Sequence, residues 1–246
     1  MSQSHQPHAA HHSDQTAQSS GRPGVAQPAS PPGRAASPPE RIEAVVFDVG
    51  GVLLDWNPRH LYRSLLPDEE SVERFLSEVC TPAWNAEQDA GRTWAAAVEE
   101  LTARFPDHAK LIRAYDERWP EMVAGVFEET VAVLADLRAA GVPTYALTNF
   151  SAEKWDITLD MWEFLRDFDG AVVSGVERVS KPDPAIYQLL LDRHGLSAAT
   201  TFYTDDVPAN VEGARGVGIQ AEVFVDGATL RSQLAAAGLV PVDVRA

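Results

Sequence analysis

From Arg41 onward, five short runs rich in β-branched and aromatic residues (AVVFD, PTYALT, GAVVSG, TFYTD and AEVFVD) alternate with stretches of helical periodicity. This alternation constrains the fold more than any other feature of the chain. A run that is apolar at nearly every position leaves neither face for water, so each strand must be covered on both sides, and strands separated by helices pair in parallel. The fold class is therefore α/β, a doubly wound parallel sheet of the Rossmann-like kind. In such sheets ligands bind beyond the carboxyl ends of the strands. Three of the runs end in polar groups at that edge: Asp48 after AVVF, Thr148-Asn149 after PTYAL, and Asp205-Asp206 after TFYT. Lys181 stands just ahead of a Pro-Asp-Pro helix start, and the proline after it biases it away from helical geometry and into the loop. Four segments thus converge on one expected site.

The core strands are interrupted once. Between the first and second runs lie residues 58–127, which contain helical patterns and no convincing strand. Leu61, Leu65 and Leu66, then Val72, Phe75, Leu76 and Val79, then Trp94, Val98 and Leu101 recur at helical spacing, and Pro67, Pro82, Pro106 and Pro120 punctuate the segments. Asp68-Glu69-Glu70 puts acids at the positive end of one of these helices. The reading is a small helical cap domain inserted after the first strand, with residues 41–57 and 128–246 forming the α/β core. The aromatic residues Trp84, Trp94, Tyr115 and Trp119 are assigned to the interior of that cap. Two crossover helices are expected in the core, over Thr130–Ala140 before Gly141 and over Pro184–Arg193 before Gly195.

Residues 1–40 are rich in Pro, Ser, Gln, His, Ala and Gly and lack apolar side chains able to offset ordering entropy, so they read as a disordered tail. Its four histidines, His5, His8, His11 and His12, have no Cys or carboxylate cage beside them and read as solvated. A net charge of −16 argues against a nucleic-acid or anionic-membrane partner, because either needs a clustered positive surface. The single cysteine, Cys80, excludes an internal disulfide framework and a cysteine-rich zinc site. With no apolar stretch of the ~18–20 residues a membrane helix needs and no signal-peptide core, the expected location is cytoplasmic. Oligomeric state is left open.

The four strand-end segments, taken in order over about residues 42–237, resemble the haloacid dehalogenase-like (HAD) hydrolase superfamily, with the helical insertion of its subfamily I. The resemblance implies that Asp48 is a nucleophile that forms a covalent intermediate. Thr148 and Asn149 would hold the transferring group, although the pair would also suit the start of a helix over Phe150–Phe168. Lys181 would offset carboxylate crowding. Two unit charges about 4 Å apart interact by roughly 4 kcal/mol at an effective dielectric near 20, so converging carboxylates call for cations. Asp205 and Asp206 would bind Mg²⁺ together with Asp48 and the Gly50 carbonyl, Asn210 standing where the family often has another acid.

One departure matters. The family's phosphatases usually carry a second Asp two positions after the nucleophile as general acid and base, and here that position is Gly50. Asp55 is the nearest acid and the first candidate for contact with the substrate and its proton; Arg59 and His60 follow. The missing acid is shared with the metal-independent 2-haloacid dehalogenases, whose fourth motif is neutral. Sugar-phosphate phosphatases of subfamily I that pair this glycine with an acidic fourth motif resemble the chain more closely. The expectation is a Mg²⁺-dependent phosphatase of a small phosphorylated metabolite. The alternatives are a 2-haloacid dehalogenase and a non-catalytic scaffold that binds a phosphorylated ligand.

Overall fold

The computed structural model describes residues 41–240, so the tail assigned to residues 1–40 lies outside the described residues. Seven strands occur in chain order: β1 (Ala44–Phe47), β2 (Leu54–Trp56), β3 (Val123–Val126), β4 (Thr144–Thr148), β5 (Gly170–Val173), β6 (Thr201–Asp205) and β7 (Gln220–Val223). Five of them form one sheet in the order β5-β4-β1-β6-β7. Every pairing in it is parallel, with Val46 of β1 level with Tyr145 of β4 and Tyr203 of β6.

The continuous apolarity of AVVF follows from this position. Successive side chains of a strand point to opposite faces. Val45 and Phe47 enter one core cluster and Ala44 and Val46 the other, all buried. The first face is covered by helices Glu128–Ala139 and Gly227–Ala236 through Val133, Leu134, Leu137, Leu230 and Leu234. The second is covered by helices Pro184–His194 and Pro208–Gly216 through Ile186, Tyr187, Leu190, Leu191, Val211 and Ala214. The expected crossover helices thus form within two residues of their expected ends. Asp183 caps the second by accepting from the Ala185 N–H, Pro184 occupies its first turn, and Gly195 ends it at φ 64°.

The chain winds from β1 outward through β4 to β5, then returns to the other side of β1 for β6 and β7. That reversal opens a crevice at the carboxyl ends of the central strands. Over this edge lies the segment between β2 and β3, which folds into helices Pro58–Tyr62, Glu69–Glu78, Pro82–Asp89, Trp94–Arg104 and Ala109–Glu117. Asp68, Thr81 and Thr93 cap three of them by accepting main-chain N–H groups.

One expectation is corrected. The sequence pattern of 58–127 shows no convincing strand, yet the segment ends in β3, which pairs antiparallel with β2 through Leu54–Val126 and Trp56–Val123. Each strand is only three or four residues long, β3 carries Gly125, and the partners are far apart in sequence, so no local periodicity announces the ribbon. Among the described residues, no helix is long and apolar enough to cross a membrane.

Candidate active site

Asp48 leaves β1 with its main chain still in the sheet ladder, its N–H donating to the Thr204 carbonyl at 3.0 Å. The carboxylate is therefore placed by the sheet rather than by a free loop. It is 7% exposed. Oδ1 accepts from the Val49 N–H at 2.7 Å and from Lys181 Nζ at 2.9 Å.

The two glycines that follow differ in what they permit. Gly51 has φ +78°, and a Cβ there would overlap the Asp206 carboxylate, so backbone geometry and close approach both demand glycine. A Cβ on Gly50 would meet nothing within 4 Å. Packing therefore does not require glycine at position 50, and the acid missing there leaves open space.

Lys181 is 4% exposed, and its ammonium has three acceptors for three donors: Asp205 Oδ2 at 2.6 Å, Asp48 Oδ1 at 2.9 Å and the Leu147 carbonyl at 3.0 Å. Its peptide bond to Pro182 is cis. Asn149 clamps this loop: its Nδ2 donates to the Lys181 carbonyl at 3.0 Å and its Oδ1 accepts from the Lys181 N–H at 2.8 Å. The side chain assigned to the transferring group is thus engaged with the lysine main chain. Thr148 ends β4 fully buried. The helix that follows spans Ala152–Met161 rather than Phe150–Phe168, and its cap is Ser151, not the Thr148-Asn149 pair.

Asp205 closes β6 with no exposed surface. Oδ1 accepts from Val207 N at 2.8 Å and Asn210 Nδ2 at 3.0 Å; Oδ2 accepts from Lys181 and from the Tyr203 hydroxyl. Asp206 beside it is exposed. Asp48, Asp205 and Asp206 each offer an oxygen within 4.8 Å of the others. Because protein donors already occupy both oxygens of Asp205, the carboxylates best placed to accept a cation are Asp48 and Asp206.

The electrostatics follow from burial and from a single ammonium. Burial pushes the Asp48 carboxyl up to about 7; Lys181 opposes this and Asp205 adds to it. For Asp205, burial would also raise the pKa, but Lys181 and the hydrogen bonds outweigh it and hold it below its ordinary value. Burial works against charging Lys181, yet Asp48 and Asp205 together raise its pKa. Asp206, although exposed as a residue, is raised by partial desolvation of its carboxyl and then by Asp205. Three carboxylates against one ammonium leave negative charge uncompensated, and hard oxygen donors of this kind fit a small divalent cation.

Facing this group, helix Pro82–Asp89 and the start of helix Trp94–Arg104 enclose a cavity of about 60 Å³. Gly50, Asn149 and Lys154 line it from the segments that follow β1 and β4, and Trp56, Asp89, Trp94 and Trp119 from the segment that begins with β2. A wider, more apolar cleft of about 320 Å³ adjoins it and shares Trp56, Asn85 and Asp89. The aromatic residues serve two purposes: Trp94 stacks on Tyr115 at 5.6 Å, with Trp84 edge-on to both, while its indole N–H donates to Ser151 Oγ at 2.8 Å across the two layers. Lys154 pairs with Asp116.

The structure does not bring Asp55 into this cavity. Side chains alternate along β2, so Trp56 lines the cavity while Asp55 pairs with His60 Nε2 at 3.1 Å, half exposed. Arg59 is tied to Glu73 at the rim of the wider cleft. The acid that does line the cavity is Asp89, which the sequence reading passed over. Its only local signal is an Asn85–Asp89 pair spaced to share one helix face. Asn85 Nδ2 donates to Asp89 Oδ2 at 2.9 Å, and the Ser151 N–H also reaches the carboxylate.

The haloacid dehalogenase-like hydrolase family profile matches residues 42–218. The chain belongs to the haloacid dehalogenase-like hydrolase family, and the protein is a hydrolase. A sesquiterpene phosphatase, astK, of Aspergillus oryzae is 29% identical over 72% of this chain and 87% of that protein. A HAD family enzyme from Bacteroides thetaiotaomicron, solved with magnesium and inorganic phosphate, is similar with a TM-score of 0.61 and 19% identity over 76% of this chain and 96% of that one. A dehalogenase structure is similar with a TM-score of 0.56 and 22% identity over 73% of this chain and 83% of the other. The structural likenesses therefore agree on the fold and leave the reaction to the site.

Proposed function

We propose that the protein is a Mg²⁺-dependent phosphatase of a small phosphorylated metabolite, working through an aspartyl-phosphate on Asp48. The observation that carries this reading is the acidic group itself. Asp48 and Asp206 lie beside a lysine already shared with Asp205, an excess of negative charge that would repel a phosphate dianion unless a divalent cation joined it. A dehalogenase that expels halide from a carbon centre has no use for this excess. The named activity of the Aspergillus relative points the same way.

In this reading Asp48, Asp206 and the Gly50 carbonyl would hold Mg²⁺, which would supply charge neutralisation when bound. Asp48 Oδ1 is fixed by Val49 and Lys181, which leaves Oδ2 to attack phosphorus. Thr148 binds a phosphoryl oxygen, and Asn149 contributes by holding the Lys181 loop. Residues 58–127 act as a cap over a core made of residues 41–57 and 128–246, and the enzyme works in the cytoplasm.

The experiment is a Mg²⁺ titration with p-nitrophenyl phosphate. Activity should require Mg²⁺, disappear with chelator and be lost in Asp48→Asn. Hydrolysis that persists with chelator or in that variant overturns the mechanism. Halide release from an L-2-haloacid in the presence of chelator establishes dehalogenation instead.

A further inference from the structure

The phosphatase reading leaves one step without a residue: protonating the leaving oxygen, which Gly50 cannot do. We propose that Asp89, delivered from the opposite side of the cavity by the last turn of helix Pro82–Asp89, is the general acid and base of the reaction. This inference rests on the phosphatase reading and adds a catalytic residue to it.

The geometry singles out Asp89 by elimination. Among the described residues, only two titratable side chains line the cavity to which Gly50 contributes, Asp89 and Lys154. Lys154 is held by Asp116 and lies over the Trp94 ring. Of the other polar groups there, Asn149 is clamped to Lys181, and Ser151 Oγ accepts from Trp94 and from the Lys154 N–H. Asp89 is bound through its Oδ2 by Asn85, and its own carbonyl accepts from the Ser174 hydroxyl, so the helix end that carries it is fixed to the core. Gly50, two residues after Asp48, lines the same cavity as Asp89, and a Cβ there would meet no atom within 4 Å; the charge of Asp48 is felt at Asp89, so this space is where the leaving oxygen would sit.

The protonation state suits the role. Burial, followed by the charge of Asp48, pushes Asp89 up to about 7 against the opposing Ser151 N–H, so both forms are populated near neutrality. In the first step Asp48 Oδ2 bonds to phosphorus and the bond from phosphorus to the leaving oxygen breaks. The bonding pair goes to that oxygen, which takes the Asp89 proton. In the second step the Asp89 carboxylate takes a proton from the water that attacks phosphorus; the bond to Asp48 breaks, phosphate leaves, and both carboxyls return to their starting forms.

The test uses the full chain with Mg²⁺ and measures single-turnover rates of leaving-group release from p-nitrophenyl phosphate, whose leaving group needs no proton, and from ethyl phosphate, whose leaving group does. In Asp89→Asn the ratio of the two rates should rise by about 100-fold or more. Adding Gly50→Asp to that variant should bring the ratio back towards the wild-type value, since the added side chain has room. Asp89→Ser, which shortens the side chain at a half-buried helix end, should give the same rise and guards against a folding defect peculiar to one variant. A ratio that stays within about threefold of wild type in the Asp89 variants, while their p-nitrophenyl phosphate hydrolysis still depends on Asp48, overturns the role of Asp89 and leaves the phosphatase reading standing. A wild-type protein that hydrolyses neither ester overturns both.

Discussion

Replacing Asp48 with Asn should make the metal-free protein more stable at alkaline pH while abolishing its activity. The carboxyl is 7% exposed, and burial is the main reason its pKa rises from 3.8 to about 7. A folded-state pKa above the unfolded one means that the native state binds the extra proton. The associated stability is fully present below the unfolded pKa and is lost as pH rises through the folded pKa. A shift of this size corresponds to about 4 kcal/mol in full, of which roughly 3 kcal/mol falls between pH 5 and pH 8. Wild type should lose that much more than Asp48→Asn over the interval, because Asp89, also raised to about 7, titrates in both proteins. Charges elsewhere titrate in both proteins and largely cancel in the comparison. The assay is urea denaturation of both at pH 5 and pH 8 with chelator present. Adding Mg²⁺ at pH 8 should restore wild-type stability and leave the variant nearly unchanged. A stability gap between the two proteins that stays constant within about 0.5 kcal/mol across this range would show that the buried charge is not the source of the shift.

Two further perturbations follow from the same group. Lys181→Met removes the only ammonium touching Asp48 and Asp205 among the described residues, so it should destabilise the fold by about 3–5 kcal/mol near neutral pH and less in acid, where the stranded carboxyls protonate; thermal or urea unfolding at two pH values reads this. Gly51→Ala combines backbone strain at φ +78° with a methyl group driven against the Asp206 carboxylate, so Mg²⁺ affinity, measured calorimetrically, should fall by about tenfold or more, whereas unchanged affinity would remove Asp206 from the cation site.

Sequence and structure divide this site along a physical line. Strand identity, the parallel sheet and the placement of Asp48, Thr148 and Asp205 at strand ends are local patterns: an apolar run, a glycine turn, a polar residue at the boundary. Each could be read without knowing which strands touch. The role of an individual side chain within the site depends on what lies across from it, and that is where the reading changed. The Asn149 side chain clamps the Lys181 loop, and Asp205, grouped with Asp48 and Asp206 within 4.8 Å, also accepts from Lys181, Tyr203, Asn210 and Val207. Asp55, chosen for its closeness in sequence, faces away because β2 alternates its side chains.

By itself, then, the sequence determined the α/β sheet, its helical insertion and the four segments that meet at one edge, because hydrophobic period and turn chemistry act over a few residues. Tertiary structure alone decided that β2 pairs with β3, that Gly50 opens onto empty space rather than onto packing, and that Asp89 stands across it. These are contacts between residues distant in sequence, set by how the helices between β2 and β3 settle on the sheet edge, and no local pattern encodes them.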